Sequence, residues 1–241
     1  MRHLAYMSHY IFRACTSRFH GSRHALKLRM WGMNVGSDFR AEGRHTWFFD
    51  RHSKLSIGNK VCIRDGVRIH INDHGRITIE DNVEIKSNVT LEVRGHLHIQ
   101  NGALLVDGTC IYCQGDITIG QHTMIAAHTT ISDCEHGTAL NGEPMQKQKL
   151  VRIKPIVIED DCWIGSHSTI LGGVTIGQGS IVGAAAVVKS DIPPYSVAVG
   201  APAVVKSSRR DNTIDFDNAL ESVKSFDFTS YTTQRPELAQ A

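Results

Sequence analysis

No stretch of this 241-residue sequence approaches the ~20 consecutive apolar residues that a membrane-spanning helix needs. Its six cysteines are too sparse for a disulfide scaffold, so a reducing cytoplasm is the expected compartment. A strong excess of one charge is also lacking. The formal net charge of +2 argues against a general polyanion binder, and no nucleic-acid partner is expected. Arg13 and Arg18 interrupt the apolar residues near the start, which makes a poor secretory signal. Acid is missing locally: residues 1–36 carry Arg2, Arg13, Arg18, Arg23, Lys27 and Arg29 but no Asp or Glu. Such a segment could lie against anionic headgroups, so peripheral contact with the inner face of the cell membrane is an expectation. After Arg210 the tail turns acidic, with Asp211, Asp215, Asp217, Glu221, Asp227 and Glu237.

What is present is a repeat. Ile158, Ile164, Ile170, Ile176, Val182 and Val188 stand six apart, and Gly165, Gly177 and Gly183 directly follow three of them. A helix would space its apolar residues by three and four, and a long strand would alternate, so six fits neither. It fits a short strand followed by a tight corner, with the aliphatic residue pointing inward and a small residue such as Ser180 or Thr169 filling the interior beside it. Three hexads make one triangular coil. Upstream, Ile57, Ile63 and Ile69 are followed by Ile79, Ile85 and Leu91, then Ile99, Leu105 and Ile111, then Ile119, Ile125 and Ile131. These coils are about twenty residues long, with extra residues at one corner (Asp73-His74-Gly75, Arg94-Gly95-His96, Gln114-Gly115-Asp116). The pattern predicts an all-β solenoid of six stacked coils, roughly 30 Å tall at ~4.8 Å per coil.

The breaks in the period set the expected organisation. Residues 1–50 show no hexad and form an N-terminal cap or arm. The β-helix domain covers 51–192, interrupted by an excursion loop at 133–155; loops of that length inside a compact domain are usually functional. Residues 193–241 form a C-terminal segment and a poorly ordered tail. Cys110-Ile-Tyr-Cys113 has the spacing of a redox or zinc element, but it lies within the strand pattern and has no second pair, so it is read as structural.

Four motifs in order, Trp163-Ile164-Gly165-Ser166, Gly172-Gly173-Val174-Thr175-Ile176-Gly177, Asp191-Ile192-Pro193-Pro194 and Gly200-Ala201-Pro202-Ala203, resemble the signature of hexapeptide-repeat acyltransferases. The resemblance covers roughly residues 50–206, and it is to the galactoside, maltose and polysaccharide O-acetyltransferases. It implies a left-handed parallel β-helix assembled as a homotrimer, with active sites between subunits. It also implies acetyl-CoA as acyl donor, no metal, and a sugar or glycan hydroxyl as acceptor, in surface-polysaccharide biosynthesis. In that family a histidine opening the excursion loop is the general base, and His136 occupies its place in Ser132-Asp133-Cys134-Glu135-His136. Imidazole titrates near neutrality, so it can take a hydroxyl proton and return it to a thiolate. Asp133 and Glu135 either orient the imidazole or are ordinary loop acids. Cys134 has no part in that chemistry.

By the same resemblance the pantetheine groove falls on Ser166, Ala184 and Ala185, with Trp163 beside it and Lys189 as the candidate phosphate partner. Two departures stand out. Lys189 precedes Ser190, one position earlier than the family's lysine, and Val204 occupies a place where the family has Lys or Arg. Lys206, Arg209 and Arg210 follow as other sources of charge. Other readings are a zinc hydratase on the same fold using His122, His128 and His136, a catalytically silent scaffold, and an enzyme acetylating an amino sugar on a nucleotide carrier. For the last, residues 1–50 show no Gly-rich nucleotide-binding turn. Serine acetylation would need a helical N-terminal domain that the sequence does not show.

Overall fold

The computed structural model describes residues 21–151 and 153–211. Sequence-based expectations for residues 1–20, Arg152 and the tail from 212 lie outside those bounds. The hexads form a parallel β-helix with three faces. The first face stacks Asn34–Val35, Lys54–Ile57, Arg76–Ile79, His96–Ile99, Asp116–Ile119, Ile156–Ile158 and Thr175–Ile176. The second stacks Arg40–Ala41, Cys62–Ile63, Glu84–Ile85, Leu104–Leu105, Met124–Ile125, Trp163–Ile164, Ile181–Val182 and Ser196–Val199, and Val204–Ser208 closes it antiparallel to the last. The third stacks Thr46–Phe49, Arg68–Ile71, Thr90–Val93, Cys110–Cys113, Thr130–Ser132, Thr169–Leu171 and Val187–Val188.

Every aliphatic hexad residue points inward and lies over its counterpart in the next coil. On the second face Ile63, Ile85, Leu105, Ile125, Ile164 and Val182 pair in unbroken register, each at 0% exposure. Burying one such side chain contributes about 1.5–3 kcal/mol. Small polar residues fill the interior corners with their hydroxyls satisfied. Thr123 Oγ1 donates to the Glu159 carbonyl at 2.7 Å, Ser168 Oγ to Gly183 at 3.0 Å and Ser180 Oγ to Pro193 at 2.8 Å. Ser168, rather than Thr169, is the buried residue of its coil.

The column is longer at both ends than the hexads indicate. Residues 34–49 are not a separate cap but a first coil, because Val35, Ala41 and Trp47 pair with Ile57, Ile63 and Ile69. The six-residue spacing is intact there. Ala41 and Trp47 stand where other coils have an aliphatic of ordinary size, which hid the repeat. There are thus seven complete coils instead of six. An eighth begins where Ile192 bridges Ile176 and Ala198 pairs with Val182. A helix over residues 21–30 covers the N-terminal end, burying Ala25 and Leu28.

Cys113 lies inside the column and burial pushes its thiol up to about 12; Cys110 is half-buried, and neither is in a disulfide. This is the behaviour of structural cysteines. The first coil also holds a histidine whose ring makes no hydrogen bond. Both ring nitrogens of His45 are buried and unbonded, and burial, reinforced by the neighbouring His24 ring at 5.1 Å, lowers its pKa to about 4. A depressed folded-state value means that the folded chain resists protonation. The stability that depends on neutral His45 is therefore complete above the ordinary value of 6.5 and is lost as pH falls toward 4. Denaturant titrations at pH 7 and pH 4.5 should show this loss, and His45→Phe should reduce the difference between them.

Candidate active site

The excursion loop leaves the third face after Ser132 and rejoins the first face at Ile156. Its two arms pair antiparallel, Glu135 with Val151 and His136 with Leu150, and the Gly137 amide donates to the Lys149 carbonyl at 3.0 Å. The tip is organised by one side chain. Gln148 Nε2 donates to the carbonyls of Ala139 at 2.9 Å and Glu143 at 2.8 Å, while its Oε1 accepts from the Ala139 amide at 3.0 Å. The loop is thus a hairpin with an anchored root and a pinned turn, and His136 sits exposed on the second rung from the column.

Asp133 builds the root. It is 0% exposed, and its carboxylate accepts the Gln114 amide at 2.8 Å and the Gly115 amide at 2.7 Å. Its carbonyl accepts the Lys154 amide of the returning arm at 3.0 Å. Burial pushes its carboxyl above the usual range, against the pull of those donors. Both carboxylate oxygens are therefore engaged by backbone of the preceding coil, and Asp133 positions the loop rather than orienting the imidazole. Gly172 explains itself here, since a Cβ on it would come within 2.7 Å of the Asp133 carbonyl oxygen. Cys134, next in sequence, is half-buried and burial pushes its thiol up, which suits an inert residue.

The groove residues lie at a different corner. Ser166, Ala184 and Ala185 turn between the second and third faces, and the Ala185 amide donates to the Ser166 carbonyl at 2.8 Å. Ala185 adopts φ 58°, and stacked above it in the same corner are His167, His128 and Gly108, all with positive φ. The His128 and His167 rings stack at 5.1 Å. The hexad pattern gave no signal for this stacked pair. Trp163 points outward from the second face, 48% exposed. Lys189 is exposed at the corner between the third and first faces, so the structure separates it from the other cofactor candidates. Lys206, by contrast, lies on the strand that closes the second face. His122 occupies another corner of the same coil as His128, and among the described residues no group of three His, Cys, Asp or Glu side chains is placed to hold a metal ion. The convergent ligand set that a zinc hydratase needs is therefore not formed by His122, His128 and His136.

The outward side of the second face changes character along its length. Arg40, Cys62 and Glu84 occupy the early coils, where Arg64 bonds both Glu42 and Glu84. From there the outward ladder becomes Leu104, Met124, Trp163, Ile181 and Val197 in continuous register. The matching ladder of the first face reads Ser56, Thr78, His98, Thr118. The outward ladder of the second face is thus apolar from the fourth coil onward, where that of the first face is mostly polar.

Comparison with known proteins agrees with this architecture. The family model for the bacterial transferase hexapeptide (six repeats) matches residues 155–190. A probable acetyltransferase of Mycobacterium tuberculosis is 34% identical over 152 residues, 62% of this chain and 50% of that protein. An Escherichia coli O-acetyl transferase named for lipopolysaccharide biosynthesis is 31% identical over 118 residues, 46% of this chain and 60% of that protein. The matches thus span only half to three-fifths of those relatives' own length. In structure, the N-acyltransferase AntD of Bacillus cereus, solved with dTDP and Coenzyme A, superposes with a TM-score of 0.54 at 24% identity, covering 72% of this chain and 92% of that one. That likeness is one of fold.

The role given to Asp133 has a measurable consequence. Asp133→Ala leaves the Gln114 and Gly115 amides without their acceptor and should lower stability by about 1–3 kcal/mol. Urea denaturation of the variant checks the magnitude, and faster amide exchange over 134–151 checks that the loop root is what loosens.

Proposed function

We propose that this chain, a member of the hexapeptide-repeat transferase family, moves the acetyl group of acetyl-CoA to a sugar hydroxyl with His136 as general base. The observation that carries the reading is the placement of His136: exposed, on the second rung of a hairpin whose root Asp133 anchors to the column. A sugar hydroxyl is a poor nucleophile until its proton leaves. Its oxygen bonds to the thioester carbonyl carbon as the proton passes to the imidazole. When the C–S bond breaks, the imidazolium returns that proton to the departing thiolate, and His136 ends neutral. No acyl-enzyme is formed, so the raised thiol of Cys134 is no obstacle.

Acetyl-CoA is assigned to the corner formed by Ser166, Ala184 and Ala185, flanked by Trp163, where small side chains leave backbone accessible. The acceptor is a hydroxyl of a surface-glycan unit on a lipid or nucleotide carrier. Lys147 and Lys149, exposed on the hairpin, would meet the carrier's phosphates as charge-assisted donors. The relative named for lipopolysaccharide biosynthesis supports this class. His136→Ala should fold normally and lose acetyl transfer by about 10²–10⁴-fold, measured with acetyl-CoA and the purified acceptor glycan. Near-normal turnover in that variant would remove His136 from the chemistry. Transfer to an amino sugar is the second reading, in keeping with the fold shared with AntD. Hydroxylamine separates the two, because it cleaves an O-acetyl ester and leaves an amide intact.

The working form is a homotrimer. On one column the loop root and the Ser166–Ala185 corner flank opposite edges of the third face, so a single chain does not bring base and donor together. Packing the Leu104–Val197 ladder of each subunit against a neighbour would place the hairpin of one column over the groove corner of the next. Light scattering should give three subunits for the native chain. Met124→Glu, which puts a charge into that ladder between Leu104 and Trp163, should yield monomers without transferase activity; an active monomer would contradict the arrangement.

A further inference from the structure

The N-terminal end of the column carries a surface that acetyl transfer does not use. The helix over residues 21–30 turns Gly21, Ala25 and Leu28 toward the first coil. At ~100° per residue its opposite side gathers Arg23, Leu26, Lys27 and Met30, and Trp31 follows directly after the helix. Three of these five are large apolar groups in the open: Leu26 is 61%, Met30 77% and Trp31 48% exposed. An ordinary solvated helix places polar residues there. The cations are interleaved with the apolar groups, and Lys27 Nζ lies over the Trp31 ring, 5.0 Å from its centroid.

The patch continues onto the column. Trp31 packs edge-on to Phe49 at 5.9 Å, and together with Met33, Trp47 and Phe48 these rings line a cleft of about 380 Å³. Phe48, 56% exposed, points outward at its rim, where Arg51 and Asp50 also stand. Asp50 is occupied locally, accepting from the His52 amide and the Ser53 hydroxyl at 2.9 Å. Residues 21–36 contain Arg23, Lys27 and Arg29 and no acid, and at the rim Arg51 accompanies Asp50, so cations outnumber acids on this face.

We infer that the face formed by Arg23, Leu26, Lys27, Met30, Trp31 and Phe48 docks on an anionic lipid bilayer. The charge selects the partner. A second copy would set cation against cation, whereas a layer of phosphate headgroups neutralises Arg23 and Lys27 while Leu26, Met30, Trp31 and Phe48 enter the boundary below. Tryptophan belongs at that depth, with an apolar body and a polar N–H. No helix among the described residues is long and apolar enough to cross a membrane, so the contact is one of lying on the surface.

The test uses the full-length chain and vesicles, with no substrate, so it stands apart from the assignment of acetyl transfer. Flotation with vesicles of phosphatidylcholine containing about a third phosphatidylglycerol should carry the protein up, and pure phosphatidylcholine should not. Arg23→Gln with Lys27→Gln should weaken partitioning by about 30-fold, taking ~1 kcal/mol for each cation. Leu26→Ser with Met30→Ser should abolish flotation while circular dichroism and melting temperature stay unchanged, because both side chains are exposed. Brominated lipid should quench tryptophan fluorescence in the native chain and less in Trp31→Phe. Absence of binding to the anionic vesicles, equal binding to both compositions, or full binding by the serine variant would overturn the inference.

Discussion

Each coil of this molecule can bury its aliphatic residues only if the next coil presents an aliphatic residue at the same place. A six-residue side has room for one inward side chain per rung, and the backbone donors of that rung find acceptors only in the neighbouring coil. The register Ile63, Ile85, Leu105, Ile125, Ile164 is therefore a constraint on the whole chain, and the corner glycines and interior hydroxyls follow from it. Gly165 shows how tight the stacking is, since a Cβ there would lie 2.5 Å from the Ala184 amide nitrogen. A residue inserted within a rung would shift every later aliphatic out of line, so extra length is confined to corners.

The excursion hairpin is the largest use of that allowance. It leaves and returns at one corner, so Ile131 and Ile170 still pair across an interval of 39 residues. Asp133 makes the departure possible by giving the unpaired amides of Gln114 and Gly115 an acceptor inside the column. A buried carboxylate with its charge opposed by burial is an uncomfortable group, and its retention fits a position where two backbone donors must be met at once. The exposed imidazole of His136 stands three residues beyond that anchored aspartate.

The two ends of the column differ from its middle in the same physical sense: each lacks a coil on one side. At the C-terminal end an antiparallel strand, Val204–Ser208, covers the open edge of the last rung. At the N-terminal end the helix packs Ala25 and Leu28 over the first coil, and the aromatic residues Trp31, Trp47 and Phe49 fill the space a further coil would occupy. Capping with aromatic groups leaves apolar surface at the rim, and the cations beside it give that surface its chemical character.

The sequence by itself determined the repeat, the inward residue of each hexad from Ile57 to Val188, the limits of the excursion loop and the position of His136 at its root, because each is written in spacing along the chain. It did not disclose the first coil, where Ala41 and Trp47 keep the spacing but not the residue type, nor the eighth, whose return from Val182 to Ala198 takes only 16 residues. Only the tertiary structure decided what shares a corner. The direction of a side chain depends on how far its coil has turned, and Lys189, only four residues after Ala185, stands at the next corner, away from Ser166 and Ala185. It likewise brought His167 onto His128, 39 positions earlier, and turned the Asp133 carboxylate to amides 19 and 18 residues back. Contacts between coils are set by the length of the intervening turn, and that length is fixed by packing through the whole column, not by any local pattern of residues.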